Sequence, residues 1–138
     1  MNRKFNIAII GLGNIGSYLY TFLKQKRKIL SKNSRVDLNI SHICDKKRKF
    51  KVSKNKWLIN YLDAPKIKEI DLIVELIGGA EGAAKKLVFS ALKNKKHVVT
   101  ANKDLIAKYG NQLAKIAEKN KVNLEYEAAV CGGIPVIR

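Results

Sequence analysis

The fold is decided by the reading of Phe5-Asn6-Ile7-Ala8-Ile9-Ile10-Gly11-Leu12-Gly13-Asn14-Ile15-Gly16. Phe5 to Ile10 is a short apolar run with β-branched residues, closed by Gly11, and its length suits a buried strand better than a helix. From Ile15 the apolar residues recur at Ile15, Leu19, Phe22 and Leu23, the spacing of one helix face, which predicts a helix to about Lys28. Glycine triplets of this spacing arise by chance, but here the triplet joins a strand to a helix. In that context Gly11 allows the tight turn, Gly13 lets backbone approach a pyrophosphate, and Gly16 permits close helix-to-strand packing. The helix start near Asn14 offers unpaired N–H groups and a positive dipole end to phosphates. Gly11, Gly13, Asn14, Ile15 and Gly16 are therefore candidate dinucleotide contacts, the alternative being such a fold that has lost its nucleotide.

Working outward, Ser31 to Arg35 reads as a polar connection. Val36 to Cys44 alternates as a second strand, with Val36, Leu38 and Ile40 on one side. Lys46 to Asn55 is a basic loop, and a short helix is expected from Trp57 to Leu62, ended by Ala64-Pro65. Asp71 to Ile77 predicts a third strand closed by Gly78-Gly79. A helix follows from Glu81 to Lys93, then a fourth strand from His97 to Thr100 and a helix from Asp104 to Lys119 on Leu105, Tyr109, Leu113, Ile116 and Ala117. Asn123 to Ala129 is expected as a fifth strand, broken by Cys131-Gly132-Gly133-Ile134-Pro135. Short apolar strands alternating with helices indicate an α/β fold, a Rossmann-type doubly wound parallel sheet forming a single domain over residues 1–138.

The chain has 138 residues, 46% of them hydrophobic, enough for one ordinary core. Cys44 and Cys131 show neither CxxC spacing nor a histidine cluster, which suits a reducing cytoplasm and supports no zinc site or disulfide framework. Met1 to Lys4 is basic, but the apolar run after it is too short for an export signal. No stretch approaches the ~20 apolar residues of a membrane span. The net charge of +17 would suit a phosphate-rich partner such as nucleic acid or an anionic membrane. It also fits a codon bias, because the lysines are dispersed from Lys4 to Lys121 among many Asn and Ile. With no aromatic-interleaved basic stripe and no helix-turn-helix pattern, neither a specific nucleic-acid partner nor a membrane partner is expected.

At the end of the second strand, Asp45 is placed to accept hydrogen bonds from the adenosine ribose 2′-OH, although it lies further from Gly16 than the usual ~20 residues. Its carboxylate would repel a 2′-phosphate, whereas Lys46, Lys47 and Arg48 beyond it would attract one. The cluster Lys46-Lys47-Arg48-Lys49 reads equally as a solvated loop. Three cations against one carboxylate give a slight preference for NADP within an NAD(P) cofactor class.

Three further segments are more specific: Val74-Glu75-Leu76-Ile77-Gly78-Gly79, Lys96-His97-Val98-Val99-Thr100-Ala101-Asn102-Lys103, and Tyr126-Glu127-Ala128-Ala129-Val130-Cys131-Gly132-Gly133-Ile134-Pro135. With the glycine turn, and over essentially the whole chain, they resemble in order and spacing the N-terminal half of bacterial homoserine dehydrogenases. The resemblance implies NAD(P)-dependent interconversion of L-homoserine and L-aspartate 4-semialdehyde, on the route to threonine and methionine, by a cytoplasmic homodimer. It implies that Lys103 is a catalytic lysine near nicotinamide and substrate, able to help a developing alkoxide. Thr100 follows with it at the carboxyl end of the fourth strand, and Gly78 leaves room for the nicotinamide ribose. Without the resemblance, Lys103 reads as a surface lysine and Gly78-Gly79 as a plain turn.

The same resemblance implies a structural monovalent cation such as sodium, held by the Glu127 carboxylate and the carbonyls of Val130, Gly132 and Ile134, since hard oxygen ligands suit such an ion. Glu127 paired with a lysine is the other reading. Cys131 replaces a small residue and is given no role, and Cys44 replaces an arginine found in many relatives, which weakens the NADP case. The family continues into a substrate and dimerisation domain that is not expected within this chain, so catalysis is not expected from residues 1–138 alone. A stand-alone NAD(P)-sensing module is the alternative function, but it has no need of Thr-Ala-Asn-Lys or Glu-Ala-Ala-Val.

Overall fold

A computed structural model describes residues 3–47, 52–132 and 134. Arg48 and Lys49 of the basic cluster, and Gly133 and Pro135 of the last motif, lie outside the described residues. The elements are β1 (Lys4–Ile10), α1 (Asn14–Ser34), β2 (Asp37–Cys44), β3 (Leu72–Glu75), α2 (Ala83–Lys93), β4 (His97–Thr100), α3 (Lys103–Asn120) and β5 (Leu124–Glu125). All pairings are parallel, in the order β2-β1-β3-β4-β5. The expected α/β doubly wound sheet is what forms.

Alternation along the strands divides the core between two faces. Ala8, Ile10, Ile73 and Val98 meet Leu87, Val88, Ala91 and Leu92 of α2 and Leu105, Leu113 and Ala117 of α3. Ile7, Ile9, Ile43 and Val74 meet Leu12, Tyr20 and Trp57 on the other face. A register shift in β2 opposite Ile7 and Ala8 leaves Ser41 as an extra residue. It turns Ile43 to the same face as Leu38 and Ile40.

Several local expectations are corrected. The first helix runs to Ser34, through residues read as a connection, where the Ser34 hydroxyl donates to the Leu30 carbonyl and the Ser31 hydroxyl accepts from Leu38 N–H; Arg35 in the left-handed conformation (φ 58°) ends it. Its buried side is Gly16 and Tyr20 with Leu19 and Leu23 packed beside them, whereas Ile15 (65% exposed) and Phe22 (37%) face outward. No helix spans Trp57 to Leu62. Trp57 bridges Ile43 in parallel, and Leu58 N–H donates to the Ile43 carbonyl at 2.9 Å. The helical turns there are 3-10, over Lys54–Lys56 and Tyr61–Lys66. The expected fifth strand shrinks to Leu124–Glu125, and Glu127–Ala129 is a 3-10 turn.

Lys96, buried at the amino end of β4, donates to the carbonyls of Ile67 (2.7 Å), Lys68 (3.1 Å) and Ile70 (2.7 Å). Desolvation holds its pKa below the ordinary lysine value. This fastening lies at the sheet end opposite the strand carboxyl termini.

Candidate functional site

Cys44, Ile10, Glu75 and Thr100 are partners in one row across β2, β1, β3 and β4. The residues after them line the carboxyl edge of the sheet over three strand spacings, about 14 Å. From β1 the chain crosses to β2 on one side, and β3 lies on the other. The crevice between the ends of β1 and β3 is thus the topological switch point, where open α/β sheets bind ligands.

The glycine turn enters this crevice, and its three glycines differ physically. Gly11 has φ +97°, and a Cβ there would stand 2.5 Å from the Leu76 carbonyl oxygen. A Cβ on Gly16 would overlap the Gly11 carbonyl oxygen and lie 3.0 Å from its carbon. Both are demanded by close packing of backbone, whatever binds. A Cβ on Gly13 would meet nothing within 4 Å. Gly13 is exposed, as are Asn14 and Ile15, and it is the N-cap of α1, which has no side-chain cap and no acid in its first turn. The start of α3, by contrast, is capped by the Asn102 side chain, which accepts from Leu105 N–H at 3.1 Å. The orphan N–H groups of α1 therefore face open space where the backbone is least encumbered.

Asp45 is brought to this turn. Its Oδ2 accepts from Leu12 N–H at 2.9 Å and its Oδ1 from Lys46 N–H at 2.6 Å. Each carboxylate oxygen can accept a further bond, so the turn and a ribose hydroxyl are compatible partners. Lys46 and Lys47 are exposed beside it.

On the far side of the crevice, the sequence reading overlooked Glu75. It is fully buried, with Oε1 accepting from Ile77 N–H (2.7 Å) and Gly78 N–H (3.2 Å) and Oε2 from the Thr100 hydroxyl (2.6 Å). Thr100 Oγ1 accepts from Asn102 N–H (3.0 Å), and Asn102 Nδ2 donates to the Gly79 carbonyl (2.6 Å). The signal was an acid inside an otherwise apolar strand, since a buried carboxylate must find donors. Thr100 is thus buried with its hydroxyl engaged inside the protein, while Gly78 and Lys103 are exposed, Lys103 as the first residue of α3.

Glu81, also missed, follows the Gly78-Gly79 turn and reaches α3. Its Oε1 accepts from Lys108 Nζ at 2.5 Å and from the Tyr109 hydroxyl, and its Oε2 from Lys85 Nζ at 3.3 Å. Lys85 also donates to the Tyr109 hydroxyl at 2.8 Å and lies 4.1 Å from the ring centroid. Hydrogen bonds from Lys108 and Tyr109 lower the Glu81 pKa to about 2.

Among the candidate cation ligands, Glu127 is exposed at the start of its 3-10 turn and its carbonyl accepts from Val130 N–H at 3.0 Å. Cys131 (φ 56°) and Gly132 (φ 61°) are successive left-handed residues, and Ile134 N–H donates to the Cys131 carbonyl at 3.1 Å. Cys131 is exposed. Cys44 is buried, and desolvation raises its thiol pKa. Among the described residues no helix is long and apolar enough to cross a membrane.

The family model described as "Homoserine dehydrogenase, NAD binding domain" matches residues 11–127. Similar curated proteins include homoserine dehydrogenases of Neisseria gonorrhoeae, 38% identical over 99% of this chain and 32% of the relative, and of Lactococcus lactis, 40% identical over 96% and 32%. The crystal structure of a homoserine dehydrogenase from Thiobacillus denitrificans superposes with a TM-score of 0.87 at 34% identity, covering 97% of this chain and 32% of that one. The chain thus spans about a third of the length of these relatives. The glycine turn, the edge beyond β3 and β4, and these likenesses together place the chain in the homoserine dehydrogenase NAD-binding domain family.

Proposed function

We propose that residues 1–138 bind a nicotinamide dinucleotide along the carboxyl edge of the sheet, as the nucleotide-binding domain of an enzyme interconverting L-homoserine and L-aspartate 4-semialdehyde. The carrying observation is Gly13: packing demands glycine at Gly11 and Gly16 but not at Gly13, which stands in open space before an uncapped helix. A pyrophosphate there would take the N–H groups of Gly13, Asn14 and Ile15 and the positive end of α1. Asp45 would receive the adenosine ribose, and Lys46 and Lys47 favour a 2′-phosphate, so NADP is the preferred form. The nicotinamide half would lie over Gly78 and Lys103, with Thr100 beneath as a support.

The cofactor supplies hydride transfer when bound. Lys103 holds a cation at the edge, where it stabilises negative charge on the reacting substrate oxygen. Near-attack positioning of two reactants can be worth ~7–11 kcal/mol of barrier. That demand falls on substrate-holding groups beyond those of this edge. Glu127 with the carbonyls of Val130, Gly132 and Ile134 offers hard oxygens suited to a structural sodium ion, which would brace the segment after β5.

Calorimetric titration with NADPH and NADH tests the binding, and heat with neither would refute it. In a homoserine dehydrogenase polypeptide containing this domain, Lys103→Ala should lower kcat far more than it weakens cofactor binding. Full turnover in that variant would remove Lys103 from the chemistry.

A further inference from the structure

A buried charge is retained at a cost unless something uses it, and replacing one by apolar residues is often stabilising. Glu75 ends an apolar strand, fully buried, and among the described residues no ion pair reaches it. What meets it instead is a set of donors at and just beyond the strand ends: Ile77 N–H and Gly78 N–H on one oxygen, the hydroxyl of Thr100, the last residue of β4, on the other. Thr100 hands the connection on to Asn102 N–H, and the Asn102 side chain returns to the Gly79 carbonyl. The contacts form a closed ring joining the loop after β3 to the start of α3. The β3–β4 register is set without it by the backbone pairing of Leu72 to Glu75 with His97 to Thr100. The ring therefore ties the two loops of the carboxyl edge to the last pair of strand residues, Glu75 and Thr100.

Resting on the dinucleotide reading above, we propose that Glu75 is a positioning residue for the nicotinamide half of the site. Its carboxylate fixes the Gly78 loop and the Lys103 end of α3 in one frame, so that both meet the same bound ring. The adenosine end, at Asp45 and the glycine turn, does not depend on it.

Glu75→Gln is a sharp probe because it keeps the shape and removes one acceptor. The new amide N–H groups would face Thr100 Oγ1, which already accepts from Asn102, and the Thr100 hydroxyl proton would be left without an acceptor. Titrations of the chain should show about tenfold weaker NADPH binding in Glu75→Gln, as loss of one charge-assisted bond implies, with 2′-phospho-ADP-ribose changed by less than about twofold. Thr100→Val should give the same pattern, and the double variant should lose no more than either single one. Lys96→Met, at the opposite end of the sheet, should lower stability without changing the ratio of the two affinities. In the unaltered chain, NADPH but not 2′-phospho-ADP-ribose should slow hydrogen exchange at Gly78 N–H. Equal weakening of both ligands, weakening of neither, or equal slowing of exchange by both would overturn the proposal. An unaltered chain that binds neither ligand would refute the dinucleotide reading itself, and the proposal with it.

Discussion

Alanine substitution of the three turn glycines, one at a time, should separate what the fold needs from what the ligand needs. At Gly16 a methyl group would overlap the Gly11 carbonyl oxygen and stand 3.4 Å from Leu76 Cδ1, so the start of α1 and the turn must separate. Overpacking of this kind costs ~1–3 kcal/mol, and contact with rigid backbone puts the cost at the upper end, about 3 kcal/mol. For a chain of this length that lowers Tm by about 10 °C. Gly11→Ala should do at least as much, since it adds a left-handed backbone at φ +97° to a contact of 2.5 Å with the Leu76 carbonyl oxygen. Gly13 has φ −65° and open surroundings, so Gly13→Ala should shift Tm by no more than about 3 °C in either direction. The same methyl would stand between a pyrophosphate and the N–H groups of α1, and losing one such charge-assisted bond, worth ~1.5–3 kcal/mol, weakens binding between about tenfold and a hundredfold. Circular dichroism melts and calorimetric titration with NADPH read the two effects separately. Unfolding of Gly13→Ala as early as Gly16→Ala, or NADPH binding by Gly13→Ala equal to that of the unaltered chain, would refute this division of roles.

Replacing Lys46 and Lys47 together by alanine should raise the Kd for NADPH about tenfold while leaving NADH unchanged, since the lost charges oppose only the 2′-phosphate; parallel titrations check it. The Glu81 carboxyl is held down to about 2 by Lys108 and Tyr109, so its stabilisation is complete above the ordinary value of 4.5 and is lost as pH falls through about 2. The urea midpoint of the unaltered chain should exceed that of Glu81→Gln near neutrality and converge with it on acidification; a gap independent of pH would count against the contact. Lys96→Met strips a donor from three carbonyls beneath β4 and should cost about 2 kcal/mol in urea unfolding.

The turn from Phe5 to Gly16 was legible because strand period, glycine spacing and helix period change within a dozen residues, each forced by local sterics. The lengths of α1 and β5 were not. Ser31 to Ser34 looks like a loop by composition, yet Ser34 Oγ donates to the Leu30 carbonyl and Ser31 Oγ accepts from Leu38 N–H, joining helix to strand. Asn123 to Ala129 looks like a strand, but β4 partners extend no further than Glu125, and the chain turns into a 3-10 helix at Glu127. Helical spacing gave the apolar residues of α1 without saying which flank is buried, so Ile15 and Phe22 were assigned inward when the glycine turn admits only Gly16 there. Glu75, Asn102 and Glu81 act through residues distant in sequence, with donors and acceptors brought together by strand order. No spacing rule encodes that. An acid within Leu-Ile-Val-Glu-Leu-Ile was the one local sign that something must meet it.

The most direct measurement is a two-dimensional amide NMR titration of the isotopically labelled chain with NADPH. Saturable shifts are expected at Gly13, Asn14 and Ile15, at Lys46, and at Gly78 and Lys103, with Lys68 and His97 at the opposite end of the sheet unmoved. Shifts confined to that opposite end, or no shift anywhere at saturating NADPH, would contradict a dinucleotide site along the carboxyl edge.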